Sequence, residues 1–164
     1  MFTPALTTRA AALVARYSAL GLKIATAESC TGGLVAGLLT EIPGSSAVLE
    51  RGFVSYSNDA KRELLGVPAG TLDAYGAVSE ATARAMARGA VAHSRAEVAV
   101  SITGVAGPGG GTAEKPVGLV HFARAGPGAG LVAIERRFGD LGRTAIRIAS
   151  VEQALALLEQ AVEE

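Results

Sequence analysis

The sequence contains few of the residues that metal, disulfide or polyanion chemistry requires. Cys30 is the single cysteine in 164 residues, which excludes an internal disulfide and a cysteine-rich zinc site. Fifteen basic and fifteen acidic residues give a formal net charge of zero, whereas binding to a nucleic-acid backbone needs a clustered basic excess. No apolar run approaches the roughly 18 residues that span a bilayer. We therefore expect neither a nucleic-acid partner nor a membrane partner.

Targeting signals and common cofactor motifs are missing as well. The amino terminus has no basic start followed by an apolar stretch and a small-residue cleavage site, so we expect a cytoplasmic protein with one domain over residues 1–164. No Walker, dinucleotide-binding, G-x-S-x-G or H-E-x-x-H motif occurs. The two histidines, His93 and His121, are far apart in the sequence and form no ligand pattern. We expect no metal and no cofactor.

Hydrophobic residues make up 49% of the chain, and helical and strand patterns alternate along it. This alternation predicts a layered α/β/α single domain with a mixed, mostly parallel sheet and a late β-hairpin. Helices are predicted from Pro4 to Gly21, over 34–40, from a cap at Asn58 or Asp59 to Leu65, over 80–93 and over 140–162. Strands are predicted over 23–27, 52–57, 97–102, 117–123 and 131–138, with a hairpin turn at 126–130.

Lysine is scarce, since only three of the fifteen basic residues are lysines. One of them, Lys61, is predicted to lie near the first turn of a helix, where a cation is electrostatically unfavourable. Such a position lowers the pKa of a lysine, and a neutral lysine can act as a general base. The alternative is a solvated lysine on an exposed helix face.

Polar residues follow two predicted strands, at the edge of the sheet where α/β proteins bind ligands. The turn at residues 28–33 precedes a helix, so its amides could hold an anion; alternatively Ser29 is a helix cap and the glycines aid packing. Ser46 is either an attacking hydroxyl or a cap. Cys30 adjoins Ser29, and we interpret it as a buried structural residue.

Two further segments carry candidate anion-binding groups. The glycine-rich loop at 103–116 can form a nest of backbone amides. Arg143 and Arg147 lie one turn apart on the last predicted helix, where they can clamp a phosphate or a carboxylate. The alternative for both arginines is a solvated position.

The order of these motifs closely resembles that of the CinA C-terminal domain family, also known as the PncC-type nicotinamide mononucleotide deamidases. The matching segments cover almost the whole chain. They are Thr26-Ala-Glu-Ser-Cys-Thr-Gly-Gly33, Gly44-Ser-Ser46, Tyr56-Ser-Asn58 with Lys61, Leu65-Gly-Val67, Gly76-Ala-Val-Ser79 and Thr103-Gly-Val-Ala-Gly-Pro108 with Lys115-Pro-Val-Gly118. One departure is Leu141-Gly142, two extra residues between Asp140 and Arg143.

The resemblance implies a metal-free amidohydrolase. The implied reaction converts nicotinamide mononucleotide to nicotinic acid mononucleotide and ammonia by a serine nucleophile assisted by a lysine. The residues alone leave Ser29 and Ser46 both open as nucleophile, and the resemblance favours Ser46, with Lys61 as base and Tyr56 orienting it or relaying a proton. The expected substrate-binding residues are Thr31, Gly32, Gly33, Asn58, Thr103, Gly104, Gly107 and Arg143.

The same residues are compatible with two other functions. A nucleotide-binding or regulatory module of the same family without catalysis is the main alternative, and a different nucleotide amidase or esterase with the same serine–lysine chemistry is another. Composite members of the family carry an additional amino-terminal domain, so this chain resembles the stand-alone form. The resemblance also implies a homo-oligomer.

Overall fold

A computed structural model describes residues 2–127 and 130–163 of the chain. Within these ranges the chain forms six α-helices and five β-strands, with one 3₁₀ turn at Ser45–Ala47. In chain order the elements are α1 (Pro4–Leu20), β1 (Ile24–Glu28), α2 (Leu34–Thr40), β2 (Leu49–Val54), α3 (Asn58–Leu65), α4 (Ala69–Tyr75), α5 (Glu80–Ala92), β3 (Val98–Gly104), β4 (Leu119–Ala125), β5 (Leu131–Arg137) and α6 (Arg143–Gln160).

The strands form one mixed sheet in the order β2-β1-β3-β4-β5. The central strand β1 pairs in parallel with both β2 and β3, whereas β4 is antiparallel to β3 and to β5. Four of the five described strands therefore run in one direction. The mixed, mostly parallel sheet and the late hairpin are confirmed, although part of the predicted hairpin turn, residues 128–129, lies outside the described residues.

Helices cover both faces of the sheet, which confirms the α/β/α layering. Helices α1, α2 and α6 pack on one face, and α3, α4 and α5 pack on the other. The first face contributes large apolar side chains to the main core, among them Ile24, Val100 and Ile102. The second contributes small ones such as Ala25 and Ala99. In the described part of the chain, no helix is both long enough and apolar enough to cross a membrane.

The alanine-rich helix α5 lies close to its neighbours because its side chains are small. A Cβ atom on Gly89 would collide with the carbonyl oxygen of Leu65 at the end of α3. On another part of the helix, Ala83 and Ala87 pack against Ala123 and its neighbours in β4. This close packing fixes the end of α3 against α5.

Several element boundaries differ from the prediction. β2 begins at Leu49, three residues before the predicted strand, and ends at Val54. Neither Asn58 nor Asp59 caps α3, because the hydroxyl of Ser57 accepts a hydrogen bond from the Ala60 amide at 3.0 Å.

Two helices also depart from the prediction. α4 was not predicted, since its short sequence begins just after Pro68 and contains a glycine. α6 begins at Arg143 instead of Asp140, because Gly142 has a φ of +87°, which is not helical.

Candidate active site

The candidate site is a cleft at the carboxyl ends of the parallel strands, where the topology of α/β sheets places ligands. Its volume is about 210 Å³. Larger surface depressions of about 310–420 Å³ elsewhere on the described surface bring no hydroxyl or thiol together with an amine or imidazole. The cleft is lined by Ser29, Cys30, Tyr56, Lys61, Ala77, Val78, Thr103, Gly104, Ala106 and Arg143.

A serine–lysine pair lies at the bottom of the cleft. Lys61 Nζ is 3.0 Å from Ser29 Oγ, and both side chains are buried. The other two partners of Lys61 Nζ are the carbonyl oxygens of Ser55, at 2.8 Å, and Tyr56, at 3.1 Å. A neutral amine has two N–H donors and one lone pair, so it can satisfy both carbonyls and still accept the Ser29 hydroxyl proton. The arrangement thus suits lysine as a base.

Burial is the main reason for the altered basicity of Lys61. Lys61 is 1% exposed, and this desolvation lowers its pKa from the ordinary value. The lowered pKa agrees with the sequence prediction, but its main cause is burial and not the unfavourable position of a cation at the start of a helix. The alternative of a solvated lysine on an exposed face is wrong.

Ser46 lies away from this pair. It is exposed in the 3₁₀ turn that precedes β2, at the end of the sheet where Leu49 pairs with Ile24. Ser29 follows the opposite end of β1, a strand length of about 16 Å away at about 3.3 Å per residue. Within the described chain the serine beside Lys61 is therefore Ser29 and not Ser46.

The turn after β1 provides no free anion site at the start of α2. The buried carboxylate of Glu28 accepts hydrogen bonds from the amides of Gly33, Val35 and Ala36 at 2.9–3.1 Å, and the amide of Gly32 donates to the Ser29 carbonyl. A carboxylate of the chain itself thus occupies the helix terminus.

These bonds correct the expectation for the glycines of the turn. The amides of Gly32 and Gly33 are already hydrogen-bonded within the chain, so they cannot donate to a substrate as predicted. Thr31 is fully buried and does not line the cleft.

Two other amides of this turn differ from those of Gly32 and Gly33. Neither Cys30 N–H nor Thr31 N–H donates a hydrogen bond to another residue within the described ranges. Cys30 itself is buried, and desolvation raises the pKa of its thiol to about 11. The thiol is therefore protonated near neutral pH, which fits the structural interpretation of Cys30 and leaves its backbone as the chemically useful part.

Another wall of the cleft consists of two backbone segments, 77–78 and 103–104, which a side-chain hydrogen bond joins. Thr103 is buried, and its hydroxyl donates to the carbonyl of Ala77 at 2.7 Å. A Cβ on Gly104 would lie 2.7 Å from Val120 Cγ2, so only glycine fits there. Ala77 and Val78 line the cleft although the sequence assigned them no role. Their signal was the Gly-Ala-Val-Ser motif, in which a glycine ends one helix and a serine caps the next.

Tyr56 and Arg143 lie at the mouth of the cleft. Both are exposed, and Arg143 donates to the Tyr56 hydroxyl at 3.4 Å and to the Gly107 carbonyl at 2.8 Å. Arg143 reaches this place despite the two extra residues before it, because they lie outside α6. Gly107 contributes only through that carbonyl, and Asn58 is exposed at the start of α3 outside the cleft.

Comparison with known proteins agrees with this architecture. The sequence profile of the CinA C-terminal domain matches residues 6–162. The chain belongs to the CinA C-terminal domain family. The crystal structure of the competence/damage inducible protein CihA from Agrobacterium tumefaciens, itself similar to this CinA-family chain, has a TM-score of 0.96 and 54% identity, with 100% of this chain and 99% of that one covered.

Other relatives of this CinA-family chain are more distant or longer. A CinA superfamily protein from Klebsiella pneumoniae has a TM-score of 0.90 and 34% identity, with 96% and 98% of the two chains covered. A CinA-like protein from an Anaeromyxobacter species is 54% identical over 153 residues, 93% of this chain. The chain spans only 37% of that relative's length.

The described part of this CinA-family chain offers no grouped set of metal ligands. No cluster of three or more histidine, cysteine, aspartate or glutamate side chains there is arranged to hold a metal ion. The sequence analysis assigned no role to Glu28, whose carboxylate binds amides of the turn. A carboxylate at the end of an otherwise apolar strand was the available signal for Glu28.

Proposed function

We propose that this protein hydrolyses the carboxamide of nicotinamide mononucleotide to nicotinic acid mononucleotide and ammonia. The observation that carries the proposal is the 3.0 Å contact between Ser29 Oγ and the buried Nζ of Lys61. Membership of the CinA C-terminal domain family supports the choice of substrate. A carboxamide is a poor electrophile, so its hydrolysis needs an activated nucleophile of this kind.

In the first half of the proposed reaction, Ser29 Oγ attacks the carboxamide carbon while its proton passes to neutral Lys61. The tetrahedral intermediate carries a negative oxygen, and we assign Cys30 N–H and Thr31 N–H as its donors because neither donates to another described residue. The C–N bond then breaks, and the proton held by Lys61 moves to the nitrogen that leaves as ammonia.

In the second half, water attacks the acyl group on Ser29. Lys61, neutral again after the loss of ammonia, accepts a proton from that water and returns it to Ser29 Oγ as the acid is released. Each half thus uses Lys61 once as a base and once as an acid. A lowered pKa suits both roles, because the proton must move easily in both directions.

The mouth of the cleft supports recognition of a nucleotide. Arg143 is the exposed cation among the lining residues, and a guanidinium suits a phosphate because it offers paired donors. Tyr56 contacts Arg143 there and presents an aromatic surface to the substrate. We assign the amide-binding end to Ser29 and Lys61 and the phosphate-binding end to Arg143.

The test is ammonia release from nicotinamide mononucleotide by the purified protein, with nicotinic acid mononucleotide measured in the same samples. We expect the two products in equal amounts and an unchanged rate in the presence of a chelator. Free nicotinamide and nicotinamide riboside, which lack the phosphate, should react at least tenfold less efficiently in kcat/KM.

The same samples separate the proposal from a non-catalytic module of the family. Thermal stabilisation by nicotinamide mononucleotide without release of ammonia would favour the binding module and overturn the proposed reaction. Faster hydrolysis of another amide or ester in the panel would replace the proposed substrate.

A further inference from the structure

The turn that carries Ser29 is held from two sides by two charged side chains. On one side, the Glu28 carboxylate accepts hydrogen bonds from the amides of Gly33, Val35 and Ala36. On the other side, Arg147 Nε donates to the Cys30 carbonyl at 3.0 Å, and Arg147 Nη2 donates to the Thr31 carbonyl at 3.1 Å. The alternative of a solvated Arg147 is therefore wrong, because its Nε and Nη2 donors both bind backbone carbonyls of this turn.

The choice of partners for Arg147 is informative. No carboxylate of the described residues forms an ion pair with it, so its two hydrogen bonds go to neutral backbone oxygens. The guanidinium also passes over Gly32, where a Cβ would lie 3.6 Å from Nη2. A planar fork with two donors can fix two successive carbonyls at once, which a single ammonium cannot do.

Peptide geometry connects these carbonyls to the cleft. In a planar trans peptide the C=O and the N–H point in opposite directions. The Cys30 carbonyl is held by Arg147, so Thr31 N–H, in the same peptide, points away from the guanidinium. The Ser29 carbonyl accepts a hydrogen bond from the Gly32 amide. Cys30 N–H belongs to the same peptide as that carbonyl, so it points away from Gly32 N–H. Neither N–H donates a hydrogen bond to another described residue.

We propose that Arg147 is a positioning residue for the oxyanion donors of this site. It holds and polarises the peptide that ends in Thr31 N–H, and it fixes the Cys30–Thr31 segment beside the Ser29 hydroxyl. This role rests on the proposed amidase function and assigns Arg147 a task separate from that of Arg143, which faces the substrate at the mouth. Glu28 supports the same turn from the amide side.

The test compares Arg147→Met and Arg147→Lys with Arg88→Met, a change at an exposed arginine of α5 outside the cleft. For each folded variant, kcat and KM are measured on nicotinamide mononucleotide across pH. We expect Arg147→Met to lower kcat at least tenfold with less than a threefold change in KM, since loss of one oxyanion donor costs about 10²–10³ in kcat. The pH of the half-maximal rate should not move, because Lys61 is untouched.

Arg147→Lys should recover part of the loss, since an ammonium can hold one of the two carbonyls. If Arg147→Met does not fold, the Arg147→Lys comparison decides alone, with a smaller expected loss of at least threefold in kcat. Added guanidinium ion, at concentrations below those that unfold the protein, should raise kcat of the methionine variant. A folded Arg147→Met, or failing that Arg147→Lys, with kcat within twofold of wild type would overturn the proposal.

A second readout is independent of the nucleotide substrate. A small sulfonyl fluoride reacts with a serine hydroxyl: the Oγ–S bond forms, the S–F bond breaks, fluoride leaves and the serine proton passes to the base. Mass spectrometry of Ser29 labelling should show a slower reaction in the Arg147 variants and none of this slowing in Arg88→Met. Wild type that is labelled but releases no ammonia would overturn the proposed substrate, while the labelling rates would still decide the role of Arg147. Wild type that neither reacts nor releases ammonia would overturn both.

Discussion

Lys61 Nζ contacts Ser29 Oγ at 3.0 Å although 32 positions separate the two residues in the sequence. The contact follows from the sheet. Strands β1 and β2 are parallel neighbours, and Glu28 at the end of one pairs with Val54 at the end of the other. The turn after β1 and the loop into α3 therefore emerge side by side, which brings the hydroxyl and the amine together.

The first prediction concerns pH. Burial lowers the pKa of Lys61 from 10.5, and only the neutral amine can accept the Ser29 proton. We expect kcat/KM to rise with pH along a limb whose midpoint lies below 10.5, with a tenfold fall per pH unit on the acid side.

Substitution of the lysine checks the origin of that limb. Lys61→Arg should lower kcat/KM by at least 10³, because a guanidinium stays protonated in the working range. A variant that keeps the wild-type rate and the same limb would contradict the assignment of Lys61 as the base.

The second prediction concerns Cys30. Its thiol is buried and has a raised pKa of about 11, so the side chain contributes packing and no nucleophile. We expect Cys30→Ala to keep kcat within about threefold of wild type and to lower the melting temperature. A loss of activity as large as that of a Ser29 variant, in a folded protein, would identify the thiol as the reacting group instead.

The third prediction separates the two ends of the substrate. Arg143→Met removes the exposed guanidinium at the mouth, so KM for nicotinamide mononucleotide should rise at least tenfold while kcat changes less. The same change should have little effect on nicotinamide riboside, which lacks the phosphate. Steady-state kinetics on both substrates checks this, and an equal loss on both would show that Arg143 does not recognise the phosphate.

The fourth prediction concerns stability. Gly89→Ala places a methyl group against the Leu65 carbonyl and should destabilise the protein by about 1–3 kcal/mol. Gly37→Ala is the matched control, because a Cβ there meets nothing within 4 Å and the change should stabilise α2 by about 0.5–1 kcal/mol. Urea unfolding of both variants measures the difference, and similar midpoints would contradict the close packing of α3 and α5.

Much of the fold could be predicted because its signals are local. Thr3 caps α1, Gly21 ends it, and the hydrophobic patterns mark most strands. The missed helix α4 has a proline cap and only seven residues, which leaves little periodicity to detect.

The site could be predicted only in part. Lys61, Tyr56, Thr103 and Arg143 were all singled out, and the structure brings them together in one cleft. The choice between Ser29 and Ser46 depends on which end of a strand each residue occupies. β2 begins at Leu49 and not at the predicted residue 52, so the predicted elements did not show that Ser46 lies just before the start of a strand. Arg147 lies 117 positions after Cys30 and 116 positions after Thr31 in the sequence. No local sequence pattern reveals hydrogen bonds between residues so far apart. The homo-oligomer stays a prediction, which light scattering of the purified protein would test.

The most direct measurement is the rate of ammonia release from nicotinamide mononucleotide by Ser29→Ala and Ser46→Ala, each compared with wild type and checked for folding. The account predicts that Ser29→Ala loses at least 10³ in kcat, because the attacking oxygen is gone, and that Ser46→Ala retains most of the wild-type rate. Substantial activity in Ser29→Ala, with the loss in Ser46→Ala instead, would contradict it.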